Sequence, residues 1–389
     1  MKKFIILIVG IGTIIYFLYS YAIPEKTLIT RNGNLLFYNS PSAIIVKNHL
    51  YIAYVSNNGE IHVKKYFKIG KIVSFIQDYI IHNHSKRSNK NHGKSIDDHS
   101  APAIVYDKKK DQILLATAYH GTNLHLYQFN IKHNKWHSLK TFKGKCTYPR
   151  FMSRNHNIYI LYRLQYTNTH SGDLVMRSSV DDFIKEDTII KAQNETVIYA
   201  SSPFIYKDSF FITYSTHSYS ENRLKGWKIL KVNFSDITIK KEIDLEKYLD
   251  KNYFSNRPTA IYTNEKFIFI GTALYYHEWK DTPNYSNLNK ILIIQIDKTT
   301  NNITILHTNS IHFPYYATSI SFDKEGNYIY FDKNKIMSSI NDISSCITNK
   351  NMMYPYLFEN NLLYAYQNSS YSIRDFNNSI FLCTDLKSN

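Results

Sequence analysis

The chain has 389 residues, of which 43% are hydrophobic, 20% charged and 15% aromatic; this is too apolar for a disordered chain and excludes collagen-like and low-complexity classes. Lys and Arg (47) against Asp and Glu (31) give a formal net charge of +16, a sign that favours polyanionic partners: nucleic acid, anionic membrane or acidic polysaccharide. With 12 Gly and 9 Pro beside 34 Tyr and 22 Phe, the inventory favours strands over an all-helical bundle and leaves many turns to Asn.

Residues 1–22 read as an export segment. Lys2 and Lys3 precede an apolar run from Phe4 to about Tyr19, and Ser20-Tyr21-Ala22 fits the small-x-small pattern of a cleavage site. The run exceeds the usual ~7 to 15 residues of a signal core and approaches the ~20 that span a bilayer, so the segment is a cleaved signal peptide or a retained anchor. No later stretch is apolar enough to span, and residues 23–389 are expected as one exported domain, periplasmic, extracellular or anchored. Membrane contact then comes only through the N-terminal segment. The location argues against nucleic acid, and a monomer is expected.

Downstream, one unit recurs seven times, and such a repeat decides the architecture. Each copy starts near a Pro, runs as a short apolar strand, turns on polar residues and returns as a second apolar strand. The copies start at Pro41, Pro102, Pro149, Pro203 and Pro258; the sixth, Ser319 to Phe322, lacks the Pro, and the seventh starts at Pro355. The return strands are Leu50 to Val55, Ile113 to Tyr119, Ile158 to Tyr162, Phe210 to Tyr214, Phe267 to Ile270, Tyr328 to Phe331 and Leu362 to Tyr366. Further candidates such as Ile61 to Tyr66, Leu124 to Phe129, Ile229 to Val232 and Ile291 to Ile296 bring each copy to three or four strands. The period of about 40 to 60 residues is that of a propeller blade. Leu50 to Val55 and Phe267 to Ile270 are continuously apolar, as strands covered on both faces must be. The expected fold is all-β, a seven-bladed β-propeller rather than a sandwich of two β domains.

In a propeller the first strand of each blade lines the central channel, so the residues just before each repeated Pro gather on one face. They are Asn39 and Ser40, Asp98 and His99, Tyr148, Tyr199, Arg257, Tyr315 and Tyr316, and Tyr354. The second strands end at His120, Arg163 and His217, the last two each 14 residues after their Pro. A ring of His, Tyr and Arg is the wrong set for glycoside hydrolysis, which takes two acids across the scissile bond. It suits β-elimination on a uronate. Arg neutralises the carboxylate with a fork that never loses its charge; His, or a Tyr whose pKa is lowered by nearby cations, removes the C5 proton and protonates the leaving oxygen.

At these residues the sequence resembles the BNR-repeat family that includes the seven-bladed ulvan lyases and related polysaccharide lyases. The carrying segments are Asp97-Asp98-His99-Ser100-Ala101-Pro102, Ala118-Tyr119-His120-Gly121, Thr147-Tyr148-Pro149-Arg150 and Leu161-Tyr162-Arg163, and the match is specific between about Asp97 and Ser179. The resemblance implies His99 and His120 as paired histidines, Tyr148 as the catalytic tyrosine and Arg163 as the carboxylate-neutralising arginine. Tyr199 matches more loosely, and with His217, Arg257 and Asn39 of the same ring it is assigned to substrate binding. The expected activity is an exported polysaccharide lyase on an acidic glycan, uronate-containing whether or not sulfated, with no cofactor needed for the chemistry. The resemblance also implies a structural metal ion, for which no His and Cys cluster of suitable spacing appears. Two alternatives are a non-catalytic glycan-binding or surface-assembly propeller, from the net charge, and a sialidase-like hydrolase. The latter would use Arg150, Arg163 and Arg257 but finds no carboxylate beyond Asp98.

The remaining features read as structural. Three cysteines make no disulfide framework; Cys346 and Cys383 can pair in an oxidising compartment, leaving Cys146 as a small buried hydrophobe. The run His82 to His92 reads as a solvated loop inserted between the first two copies rather than a metal tract. Ser179-Val180-Asp181-Asp182-Phe183 is a degenerate Asp-box turn without its Gly and Trp.

Overall fold

The structure, a computed structural model, describes residues 26–35, 39–84, 98–119, 121–165, 171–193, 195–218, 220–221, 223–238, 240–248, 253, 255–275, 289–311, 319–332, 335–340, 352–367, 378–384 and 386. The leader, His120, Tyr315, Tyr316 and Cys346 lie outside the described residues, as do the side chains of Asp98 and Tyr354. Among the described residues no helix is long and apolar enough to cross a membrane.

Strand β1 (Lys26–Thr30) comes first in the chain but is taken up last by the fold. Among the described residues, seven antiparallel meanders follow. The first is β2 (Ala43–Val46), β3 (His49–Val55), β4 (Glu60–Ile69) and β5 (Ile72–Asn83). The second is β6 (Ala103–Asp107), β7 (Gln112–Thr117), β8 (Thr122–Asn130) and the opening half of β9 (Lys135–Arg154). The closing half of β9 begins the third, with β10 (Asn157–Gln165), β11 (Gly172–Ser178) and β12 (Asp187–Ile190). The fourth comprises β13 (Thr196–Ala200), β14 (Phe204–Tyr206), β15 (Ser209–Ser218), β16 (Arg223–Asn233) and β17 (Lys240–Asp244). Strands β18 (Ser255–Thr263), β19 (Phe267–Tyr275), β20 (Asn289–Asp297) and β21 (Ile303–Ile311) make the fifth. The sixth is β22 (Ile320–Phe322), β23 (Tyr328–Asp332) and β24 (Lys335–Ser338). The seventh is β25 (Met352–Phe358), β26 (Asn361–Gln367) and β27 (Asn378–Cys383), completed by β1, which pairs antiparallel with β27 from Lys26↔Cys383 onward.

Burial follows position in each meander. In β3 every residue after His49 is buried, whereas β4 alternates in its first half and in β5 only Tyr79 is buried. A strand covered on both faces must be apolar throughout, and an outer one need not be. Consecutive sheets share separate apolar clusters: Leu126, Phe142 and Ile160 between the second and third; Met152, Leu174 and Ile212 between the third and fourth; Trp227, Ile229 and Ile270 between the fourth and fifth; Ile293 and Tyr330 between the fifth and sixth. One further cluster joins Phe331 of the sixth, Leu363 of the seventh, Leu50 of the first and Ile104 of the second, which closes the circuit. This is a β-propeller, in which no sheet can bury its faces alone.

Two features depart from the sequence reading. The second, third and fourth meanders are hydrogen-bonded into one 12-stranded sheet, because the 20-residue β9 serves as outer strand of one and inner strand of the next, and Gly172 pairs with Val197 across the following junction. Second, the tract beginning at His82 is not a loop at its start. His82 lies in β5, and His84 is buried with its Nε2 3.0 Å from Thr117 Oγ1.

Two of the repeated Pro residues, Pro149 and Pro355, have a backbone explanation. Leu161 pairs with Arg150 and Arg163 with Thr147, so Tyr148 and Pro149 together oppose Tyr162; Tyr354 and Pro355 oppose Tyr364 in the same way. These are β-bulges, where a missing N–H costs no ladder bond and the extra residue is re-aimed. The first strands surround a cavity of about 220 Å³ whose lining includes Ser40, Phe151, Phe204, Ala260, Ile320 and Tyr356. The segment before β2 reaches across it. Phe151 N–H donates to the Ser40 carbonyl, Ile104 N–H to the Pro41 carbonyl, and Ser40 Oγ to Ser202 Oγ at 2.7 Å.

Candidate active site

Tyr148 is the centre of a cluster at one end of this channel. It is 1% exposed and sits at φ +57°, a left-handed conformation that costs an L-residue about 1–2 kcal/mol and that the bulge before Pro149 enforces. Strained backbone held by its surroundings fixes a side chain's direction. Here it places the ring 5.2 Å from the ring of His99, which stands on a single 3₁₀ turn, Asp98–Ser100, ahead of β6. Asn39 holds that turn: its Nδ2 donates to the His99 carbonyl at 3.3 Å and to the Ala101 carbonyl. Assigned to substrate from its position, Asn39 thus also anchors the backbone at His99 and just after it.

The antiparallel pairing of β10 with β9 brings Arg163 opposite Thr147, and Arg163 Nη2 donates to Thr147 Oγ1 at 3.3 Å. Its guanidinium carbon lies 4.7 Å from the Tyr148 ring centroid and 4.8 Å from that of Tyr199. Gly172 makes room for it. A Cβ there would come within 2.8 Å of Val197 Cγ1 and 3.4 Å of Arg163 Cδ.

Tyr199, on β13, gathers the rest. Arg257 of β18 approaches its ring at 5.5 Å, the Tyr148 ring lies at 5.7 Å and His217, on β15, at 6.0 Å. Burial alone would push the Tyr199 phenol up. The guanidinium charges of Arg163 and Arg257, a hydrogen bond from Arg163 and the charge of His99 outweigh burial and bring the phenol down to about 8.

The structure therefore draws His99, Tyr148, Arg163, Tyr199, His217 and Arg257 together from the second to fifth sheets. His120 lies outside the described residues. Arg150 serves the backbone instead. Buried beneath the cluster, it donates to the carbonyls of Tyr148 (3.2 Å) and Ala200 (2.5 Å), tying the third sheet to the fourth. Sequence reasoning missed this backbone role and the supporting Gly172 and Thr147. A Gly in an apolar strand beside Arg-bearing neighbours was the available signal for the second.

Among the described residues the metal implied by the resemblance finds no fit. Among the described residues no group of three or more His, Cys, Asp or Glu is placed to hold one. The rings of His82, His84 and His125 come close, with centroids 4.4 and 4.6 Å apart, but one nitrogen of each faces a hydroxyl of Tyr127, Thr117 or Thr141. Cys383 is disulfide-bonded, and Cys146 is a buried free thiol pushed up to about 12 by burial.

Residues 49–242 match the family described as BNR repeat-containing family member. No curated protein matches the chain by sequence. Among solved structures the chain is similar to an ulvan lyase described as a new family of polysaccharide lyase, bound to -[GlcA(1-4)Rha3S]-, with TM-score 0.65, 11% identity, and coverage of 93% of this chain and 96% of that one. It is similar also to polysaccharide lyase Uly1, with TM-score 0.59, 9% identity, and coverage of 93% and 99%. At these identities the likeness establishes the fold.

Proposed function

The chain belongs to the BNR repeat-containing family, and from that premise we propose that it is a polysaccharide lyase acting on an acidic, uronate-containing glycan by β-elimination. The observation that supports this reading is the pair of buried guanidiniums, Arg163 and Arg257, on either approach to a phenol held near neutral pH.

The chemistry follows from those groups. The Arg163 fork takes the uronate carboxylate, which makes the C5 proton acidic by stabilising negative charge as it spreads from C5. A base removes that proton, the electron pair forms the C4–C5 double bond, the C4–O glycosidic bond breaks, and an acid protonates the departing oxygen. About a tenth of a phenol with pKa 8 is phenolate at pH 7, so Tyr199 suits the base, with His99 and Tyr148 beside it for the acid. This extends the role of Tyr199 beyond substrate contact.

Export through residues 1–22 fits a polymer substrate too large to enter a cell. The test is ultraviolet absorbance of an unsaturated uronate when the full-length protein meets a panel of uronate polysaccharides, with Arg163→Ala as control. Salt-sensitive retention on those polymers with no new absorbance would replace the lyase with a glycan-binding propeller, the reading that the net charge of +16 favours.

A further inference from the structure

The fourth and fifth sheets carry a second basic site at the end away from Tyr199. Tyr199 pairs with Ser215 near the end of β15, whereas β14 pairs with the beginning of that strand, at Ser209 to Phe211; seven residues of strand separate Phe210 from His217, about 23 Å at ~3.3 Å per residue. There a cleft of about 490 Å³ opens between the two sheets.

Four lysines, Lys207, Lys231, Lys241 and Lys298, and two carboxylates, Asp208 and Glu265, line the cleft, an excess of two positive charges. Both carboxylates are already engaged: Glu265 lies 3.1 Å from Lys207, and Asp208 pairs with Arg154 from outside the lining. The ammonium groups crowd two neighbouring rings. Lys298 Nζ is 4.1 Å from the Tyr206 centroid and 5.6 Å from that of Phe211; Lys207 sits 5.2 Å from Tyr206 and Lys231 5.9 Å from Phe211. Lys298 also donates to the Asn264 carbonyl, which fixes its head at the cleft wall.

We propose that this cleft is a second binding site, for an oxyanion such as the sulfate or carboxylate of an acidic glycan. An oxyanion between Lys231 and Lys298 takes hydrogen bonds from both and relieves their mutual repulsion. Burial, then the charges of Lys231 and Lys207, hold the Lys298 ammonium down at about 8, the direction expected where cations lack a matching anion. The glycan as source of the anion rests on the function proposed above; the oxyanion site does not.

Competitive amine acylation of the intact protein at pH 8, quantified peptide by peptide, tests it. Lys298 should label ahead of exposed lysines, and binding that raises its pKa by one unit should slow labelling about fivefold. The probes are sodium sulfate, a sulfated uronate oligosaccharide and its desulfated counterpart, each against sodium chloride at equal ionic strength. Slowing by the oligosaccharides beyond that by sulfate assigns the anion to glycan, and equal slowing assigns it to the free ion; both uphold the site. Lys231→Gln should weaken protection, and Arg163→Ala should leave it intact. No slowing by any probe, equal slowing by chloride, or loss of protection in Arg163→Ala overturns the proposal.

Discussion

The guanidinium carbon of Arg163 lies 4.8 Å from the centroid of the Tyr199 ring, and Arg163 also hydrogen-bonds the Tyr199 phenol. The Arg163 charge therefore favours the phenolate of Tyr199. Replacing Arg163 with Lys keeps a cation but loses the planar fork, so it cannot hold a carboxylate and a phenolate together. Both Arg163→Lys and Arg163→Ala should lower kcat/KM on the cleaved uronan by about 10² or more, the cost of one donor to a developing anion. The Tyr199 phenolate absorbance should shift to higher pH in both. An unchanged phenol titration would show that the two do not interact.

The Tyr199 phenol at about 8 gives the activity a pH signature. Below that value the base is protonated, so kcat/KM should rise about tenfold per pH unit up to ~8 and then level off. Tyr199→Phe should abolish activity while leaving the circular dichroism spectrum unchanged. A base limb that persists in Tyr199→Phe assigns the proton abstraction to another group, His99 or Tyr148.

Gly172 is a specific test of positioning. Gly172→Ala places a Cβ within 2.8 Å of Val197 Cγ1 and against Arg163 Cδ. Overpacking of this kind costs about 1–3 kcal/mol, measurable as a lower urea midpoint. Turnover should fall further than the stability loss explains, because Arg163 is displaced. Adding Val197→Ala should restore both, whereas rescue of stability alone would separate Gly172 from the site.

Closure of the propeller by β1 can be removed without touching the site. A chain starting at Arg31 leaves β27 with an open edge and loses the burial of Ile29, which is 3% exposed. Burying an isoleucine is worth about 1.5–3 kcal/mol, so the urea midpoint should drop by at least that equivalent in one cooperative transition. Two separated transitions would mean that the sheets fold independently.

Much of this architecture was legible in the sequence because the strand, turn, strand repeat marks each sheet, and at Pro149 and Pro355 the repeated Pro falls in the bulge of a first strand. The approach of His99, Tyr148 and Arg163 follows from that rule once the sheets form a ring. The dual use of β9 was not legible. No Gly, Asn or Asp other than Gly144 interrupts Lys135 to Arg154, and the polarity of the stretch before Cys146 hides its pairing with β8. Nor could the depressed phenol of Tyr199 be read, since its cations come from β10 and β18, in other sheets. His84 looked solvated because its neighbours are polar, yet Thr117 provides the hydroxyl that lets it be buried.

Strand β9 sets the mechanics of the site. It carries Tyr148 and is hydrogen-bonded to β10, which carries Arg163, and to β8 on its outer half, so no hinge intervenes between the second and third sheets. On the function proposed above, a polymer reaching the Tyr148 cluster would meet a wall on this side that cannot part. On that reading, accommodation of a bulky chain falls to Arg257 and the fifth sheet beyond, and residue exchange there, not beside Tyr148, is the route by which selection would retune which sugar fits.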